Sequence, residues 1–267
     1  MNAPLLHRVA RAVAVLELLS IFTGAVTSSF RIALGHSQVG GIHQGFSLSA
    51  MLFAVAFCFL ARRRPVSWLL LASIALAALT AWPSLHVVWH AVFAHSALAL
   101  ATAALVLSAP EWVKPSERVD LGSFRAMRPA AIITPGAILI QISLGALYRH
   151  QIIGVMPHML GAMIVALLTL VVSVILLQHF AVQAQLKSAA TSLISAVLTQ
   201  VCLGIAVFMM LLLNAGNTTV FAWVATGHVF MGTLTLAASV VTALQVFRLY
   251  GGDTQDGRST QSSVPST

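Results

Sequence analysis

Charge is the first thing this sequence lacks. Only 7% of its 267 residues are Asp, Glu, Lys or Arg, and six of them are acids, where a soluble domain carries about 25% charged residues. A chain that is 59% hydrophobic, with a mean hydropathy of +0.95, has too little polar surface to face water all round. That excludes a soluble enzyme or binding domain and leaves an integral membrane protein. Cysteine is scarce as well: Cys58 and Cys202 lie inside apolar runs with no C-x-x-C pair, and they read as buried hydrophobes rather than redox groups. There is no phosphate loop, no Ser-His-Asp arrangement and no metal-hydrolase motif. The formal charge of +8 falls in short clusters between apolar runs, with no basic stripe carrying interleaved aromatics. The expected partner is therefore the lipid bilayer and not a nucleic acid.

What is present is a series of apolar runs. A spanning helix needs about 20 such residues, and eight runs can be cut, at 9–29, 42–61, 66–82, 86–108, 129–148, 157–179, 190–213 and 222–248. The third is the shortest. Turn-rich or charged breaks separate them, including "GHSQVGG", "RRRP", "WPS", "RHQIIGVMP" and "NAGNTT". The expected class is an all-α membrane protein of eight spans with both termini inside. Under that topology twelve Lys and Arg fall on the inner side, Arg62–Arg64 and Lys187 among them. Only Arg31 and Arg149 fall outside, a strong positive-inside bias. The first run is read as a span and not as a removed signal peptide. The tail, 251–267, is polar and Ser/Thr-rich and reads as a disordered cytoplasmic segment.

The chain also repeats itself. "LLSIFTGAV" in the first run matches "LIQISLGAL" in the fifth, and "IHQGFSLSAMLF" matches "PHMLGAMIVALL". Two pseudo-symmetric four-helix bundles follow, at 1–120 and 121–250, in parallel orientation because four helices separate corresponding elements. Every even-numbered run opens on a histidine: His43, His90, His158 and His228. At 1.5 Å per residue the four share one depth near the outer face. Within each half the two lie on parallel helices, as bundle cofactor sites are built. Small residues stand one turn further in, at Ser47, Ala94, Ala162 and Gly232, and a flat macrocycle between helices needs such a gap. Imidazole pairs suit haem iron, so up to one six-coordinate haem per half is implied. An interfacial role for each histidine is the plainer alternative.

Other polar residues take smaller parts. His7, His36 and His179 read as solvated boundary residues, and His95 as a weaker ligand candidate on another face of its helix. His86 with His90 would make a zinc pair only with further ligands, which the neighbourhood lacks. Gln141 and Gln200 are expected to bridge helices. Glu17 is the one carboxylate inside a span, about a third of the way in from the cytoplasmic end and far from the histidine layer, with a structural or a proton-handling role. Arg149 and His150, in the outer loop, are expected to meet haem propionates or water rather than iron.

"QISLGALYRH", "HMLGA", "TQVCLGIAV" and "GHVFMGTLTLAASVV" resemble the C-terminal half of heme A synthases, the eight-helix cytochrome oxidase assembly proteins. "IFTGAVTSS" and "WHAVFAHSALAL" are similar to the N-terminal family segments. The resemblance covers about 9–250 and is closer in the second half. It implies oxidation of the C8 methyl of heme O to the formyl of heme A. The haem b would be held by His158 and His228 and the substrate haem by His43 and His90. The resemblance further implies a bacterial plasma-membrane location, with heme O synthase or oxidase assembly factors as partners. The chain departs from the family where members carry a carboxylate one turn before the first histidine of helix 2 and a cysteine pair in the first outer loop. Here "GHSQVGGI" precedes His43, with His36 and Gln38 as the only polar stand-ins. Two other readings stay open: a b-type cytochrome or haem-binding protein that leaves haem unmodified, and a transporter, suggested by the repeat alone.

Overall fold

Long apolar stretches in a bilayer must close every backbone hydrogen bond within themselves, and a helix does this without a partner. The computed structural model of the chain, which describes residues 3–81, 87–113, 126–180 and 182–249, is accordingly all-helical among those residues. In order the helices are α1 (Ala3–Leu34), α2 (Gly40–Leu60), α3 (Pro65–Thr80), α4 (Val87–Ser108), the single-turn α5 (Pro110–Val113), α6 (Met127–Arg149), α7 (Val155–His179), α8 (Ala184–Leu212) and α9 (Thr219–Leu249).

Seven of them are long and apolar enough to cross a membrane, which makes this a multi-pass membrane protein. The eighth expected span is α3, which is apolar but only 16 residues long. Several helices start well before their apolar runs: α1 starts at Ala3 where position 9 is expected, and α8 at Ala184 where 190 is expected. Hydropathy marks the hydrocarbon core, whereas hydrogen bonding carries a helix on into the headgroup layer. The expected tail at 251–267 and the boundary at 120 lie outside the described residues.

The turns at the histidine-bearing end use left-handed residues. Gly35 takes φ 78°, Gln151 57° and Asn214 55°. After α6 and α8 the turn closes with the 6→1 bond of a Schellman motif, Ile152 N–H to Leu147 O and Ala215 N–H to Met210 O. At the opposite end the break after α2 is "RRRP", with Pro65 opening α3 where a missing N–H costs nothing. α6 runs unbroken through Pro135, so the only proline that suggested a discontinuous transporter helix does not interrupt it.

Two apolar clusters hold the helices together. One joins Val13 of α1, Phe57 of α2, Leu70 of α3 and Ala101 of α4. The other joins Ala131 of α6, Leu176 of α7, Leu186 of α8 and Val246 of α9. A third, Ala33 with Phe221 and Ala222, ties α1 to α9, and α4 packs on both α6 and α9. The outer surface is apolar, with Phe59, Met163 and Leu167 exposed, while Glu17, His95, Thr169 and Thr233 are buried. That inversion fits a hydrocarbon solvent. Cys58 is buried as expected, but Cys202 is exposed on α8, because a small hydrophobe costs nothing against lipid.

Candidate functional site

Each of the four helix-opening histidines rests on the helix before it, in one recurring way. His43 Nδ1 bonds the carbonyl of Ser20 at 2.9 Å, and His90 Nδ1 that of Ala77 at 2.8 Å. His228 Nδ1 bonds the carbonyl of Gln200 at 3.2 Å. The His158 ring also meets the Gln141 backbone, while its Nδ1 lies 2.9 Å from the Gln141 side-chain Nε2, an amide donor. Four residues beyond each carbonyl stands a small residue: Gly24, Ala81, Gly145 and Gly204. A helical carbonyl already accepts from the N–H four residues on, and a small residue there uncovers its second lone pair. The fit is close. A Cβ on Gly24, Gly145 or Gly204 would stand 3.0 Å from the Cε1 of His43, His158 or His228 respectively. Glycine at three of the four positions lets the imidazole lie on the backbone without a shift.

These contacts bring the histidines together in pairs. His43 and His90 have ring centroids 5.9 Å apart with planes at 88°, and His158 and His228 are 6.3 Å apart at 86°. Tyr148 stacks on His158 at 6.3 Å and 12°. In His43, His90 and His228, with Nδ1–H held by a backbone carbonyl, Nε2 is the nitrogen left with a lone pair for a ligand. This is the orientation by which proteins prepare a histidine for metal. Among the described residues no group of three or more His, Cys, Asp or Glu could hold a metal ion. Each pair thus offers two ligands and no more.

Hydroxyls and amides surround the pairs. Ser20 Oγ and Ser47 Oγ are 2.7 Å apart, and Ser47 Oγ donates to His43 O at 2.9 Å. Gln141 bridges α6 to α7 as expected, its Nε2 donating to His158 O at 2.8 Å. Gln200 Nε2 comes within 3.5 Å of His228 Nε2. The Oε1 atoms of both glutamines are buried without a hydrogen-bond partner among the described residues. Two of the small residues expected to leave a gap are instead in contact with side chains. Ser47 meets Ser20, and a Cβ on Gly232 would stand 3.1 Å from Gln200 Nε2.

Arg149, at the end of α6, donates to Ser29 Oγ of α1 at 2.7 Å, and its charge couples to His150 and His228. His150 lies just past the helix, where burial and then the Arg149 guanidinium hold its pKa below the ordinary imidazole range. Arg149, expected in the outer loop, is instead the last residue of α6, and its charge reaches His228 of the second pair. His95 stands apart. It is buried, with Nδ1 on Ala91 O at 2.7 Å and Nε2 on Thr233 Oγ1 of α9 at 3.1 Å, so both nitrogens are committed. His7, expected to be solvated, is half-buried with Nδ1 3.2 Å from Ser108 Oγ of α4. His36 and His179 are exposed, and His86 lies outside the described residues.

The carbonyl rests were missed in the sequence although their signal stands there, as S-x-x-x-G once and Q-x-x-x-G twice, in "SIFTG", "QISLG" and "QVCLG". No protein-family model matches the chain, and a search of the curated proteins finds no significant match.

Proposed function

We propose that the chain is a heme A synthase-like membrane oxidoreductase of the bacterial plasma membrane, converting the C8 methyl of heme O to a formyl group in support of cytochrome oxidase assembly. One observation carries this: two histidine pairs, each anchored through Nδ1 and spaced as axial ligands are. A metal–nitrogen bond of about 2.0–2.1 Å on each side, added to the ring radius, puts two axial imidazole centroids roughly 6 Å apart. The centroids here are 5.9 and 6.3 Å apart. A two-histidine site also suits a metal that brings its remaining ligands with it, as haem does. The buried, unpartnered Oε1 atoms of Gln141 and Gln200 beside the second pair are polar groups awaiting a partner.

In this reading His158 and His228 hold a haem b, and His43 and His90 hold the substrate haem. Haem supplies redox chemistry when bound. The chain's own residues position it. Four backbone carbonyls orient the imidazoles, Gly24, Gly145 and Gly204 give them room, and Arg149 and His150 offer propionate contacts at the rim. Two pseudo-symmetric bundles, with α3 as the eighth crossing and both termini inside, account for the recurring carbonyl rests and for the charge asymmetry. Heme O synthase and oxidase assembly factors are the corresponding partners. The chain would be expressed with a source of heme O, and the extracted haem analysed. Formyl-haem is the expected product. Bound but unchanged heme O would instead support the second reading, a b-type cytochrome or haem carrier, which the missing carboxylate before His43 favours.

A further inference from the structure

α1 presents Glu17, Ser20 and Gly24 at i, i+3 and i+7, on one helix face. Gly24 lies against the His43 ring, and Ser20 supplies both the carbonyl under His43 and a hydroxyl bonded to Ser47. Glu17 is three residues, about 4.5 Å of helix rise, further in, and only 5% exposed. The same register can be read on the other three helices that support a histidine. Three residues before Ala77, Gln141 and Gln200 stand Ile74, Ile138 and Val197, exposed by 4%, 3% and 4%. The fold fills this place with a β-branched aliphatic side chain three times out of four, so packing does not ask for an acid at Glu17.

Nothing pairs with it either. Among the described residues none hydrogen-bonds or ion-pairs its carboxyl. The helices packed against α1 are α2, α4 and α9, and Arg149 of α6 reaches Ser29 at its far end. Their ionisable groups are His43 and Cys58, His90 and His95, and His228 and Arg248; α1 itself adds His7, Arg8, Arg11 and Arg31. An unpaired carboxylate in a membrane interior is costly, and a buried acid without a partner keeps its proton. It is also the only acid among the described residues of the seven long apolar helices.

We propose that Glu17 is the proton-exchanging residue of the His43–His90 site. When the charge at that pair falls by one, the Glu17 carboxylate takes up one proton from water, and when the charge rises by one the Glu17 carboxylic acid releases it to water, with Ser20 and its hydrogen bond to Ser47 lying between Glu17 and His43 along α1. The charge change itself rests on the haem reading above; the acid's exchange with the outside does not.

The test is infrared spectroscopy of the full chain in membranes, labelled with ¹³C at glutamate. With only Glu17, Glu111 and Glu117 in the sequence, assignment is direct. A carboxylic-acid C=O band at neutral pH is expected, absent from Glu17→Gln, and shifted within minutes of transfer to D₂O. In the haem-loaded protein, reduction should change the intensity or frequency of that band. The pH dependence of the N-terminal haem's potential should vanish in Glu17→Ile and return in part in Glu17→Asp. Glu17→Ile copies what the other helices hold at this position, so it should fold and keep its haem. A Glu17 ionised in the haem-free protein at neutral pH, or an acid band unmoved by D₂O, overturns the proposal. So does a band that exchanges but ignores reduction of a haem bound at His43–His90. If no haem binds there, the functional reading fails instead, and the D₂O shift alone decides whether Glu17 exchanges its proton.

Discussion

At the residue scale, the histidines are held mainly by backbone. A carbonyl cannot be mutated, but the glycine that uncovers it can. With a Cβ at 3.0 Å from Cε1, Gly145→Val and Gly204→Val should push His158 and His228 off their carbonyls. The expected result is a 10–100-fold loss of haem affinity, the usual size of an outer-shell change, with helix content unchanged by circular dichroism. Gln141→Leu should lose a similar amount. Gly161→Ala should mimic it, because a Cβ there collides with Gln141 Oε1. His150 gives the pH prediction. Its pKa is lowered in the folded chain by burial and by Arg149, so the unfolded chain binds more protons below the ordinary imidazole value. The stability His150 confers is full above about pH 6.5 and declines as pH falls towards its folded pKa. Arg149→Gln should raise the His150 pKa, as measured by imidazole NMR.

At the scale of elements, much was legible and the misses have a cause. The breaks around Gly35, Arg62–Arg64, Gln151 and Asn214 are written locally, in glycine, charge and turn chemistry, and so could be read along the chain. The pairing of His43 with His90 and of His158 with His228 was legible from their equal depth. What could not be read was which helix supports each ring. Ser47 and Gly232 looked like the space-giving residues because they share a helix with a histidine. Room for the imidazoles themselves is made by Gly24, Gly145 and Gly204 on neighbouring helices, and a contact between helices leaves no periodic trace along one. Helix α3, the shortest of the eight apolar runs, is also the shortest helix of that set, at 16 residues. If it is the eighth crossing, a reporter fused after Arg64 and one fused after Ala81 should fall on opposite sides of the membrane. Equal accessibility would make α3 a re-entrant or surface helix and reverse the orientation of everything after it.

At the scale of the molecule, two four-helix clusters meet along α1, α4, α6 and α9, and His95–Thr233 is a polar link across that seam. Hydrogen bonds between membrane helices average about 0.6 kcal/mol and reach about 1.7 at most. A His95→Leu, Thr233→Val double-mutant cycle should therefore return a coupling in that range, without loss of haem. A larger loss accompanied by haem release would make His95 part of the site instead. The site itself is claimed twice over, once in each half, and the two claims share one geometry. Bis-histidine haem iron is low-spin, and axial ring planes at 86–88° predict a strongly anisotropic electron paramagnetic resonance signal. The most direct test is haem quantitation with this spectrum on the purified protein, as wild type and as His158→Ala and His228→Ala. The account predicts a low-spin signal in the wild type and loss of the C-terminal haem in each variant. A protein purified without a Soret band, or haem that survives both substitutions, would contradict it.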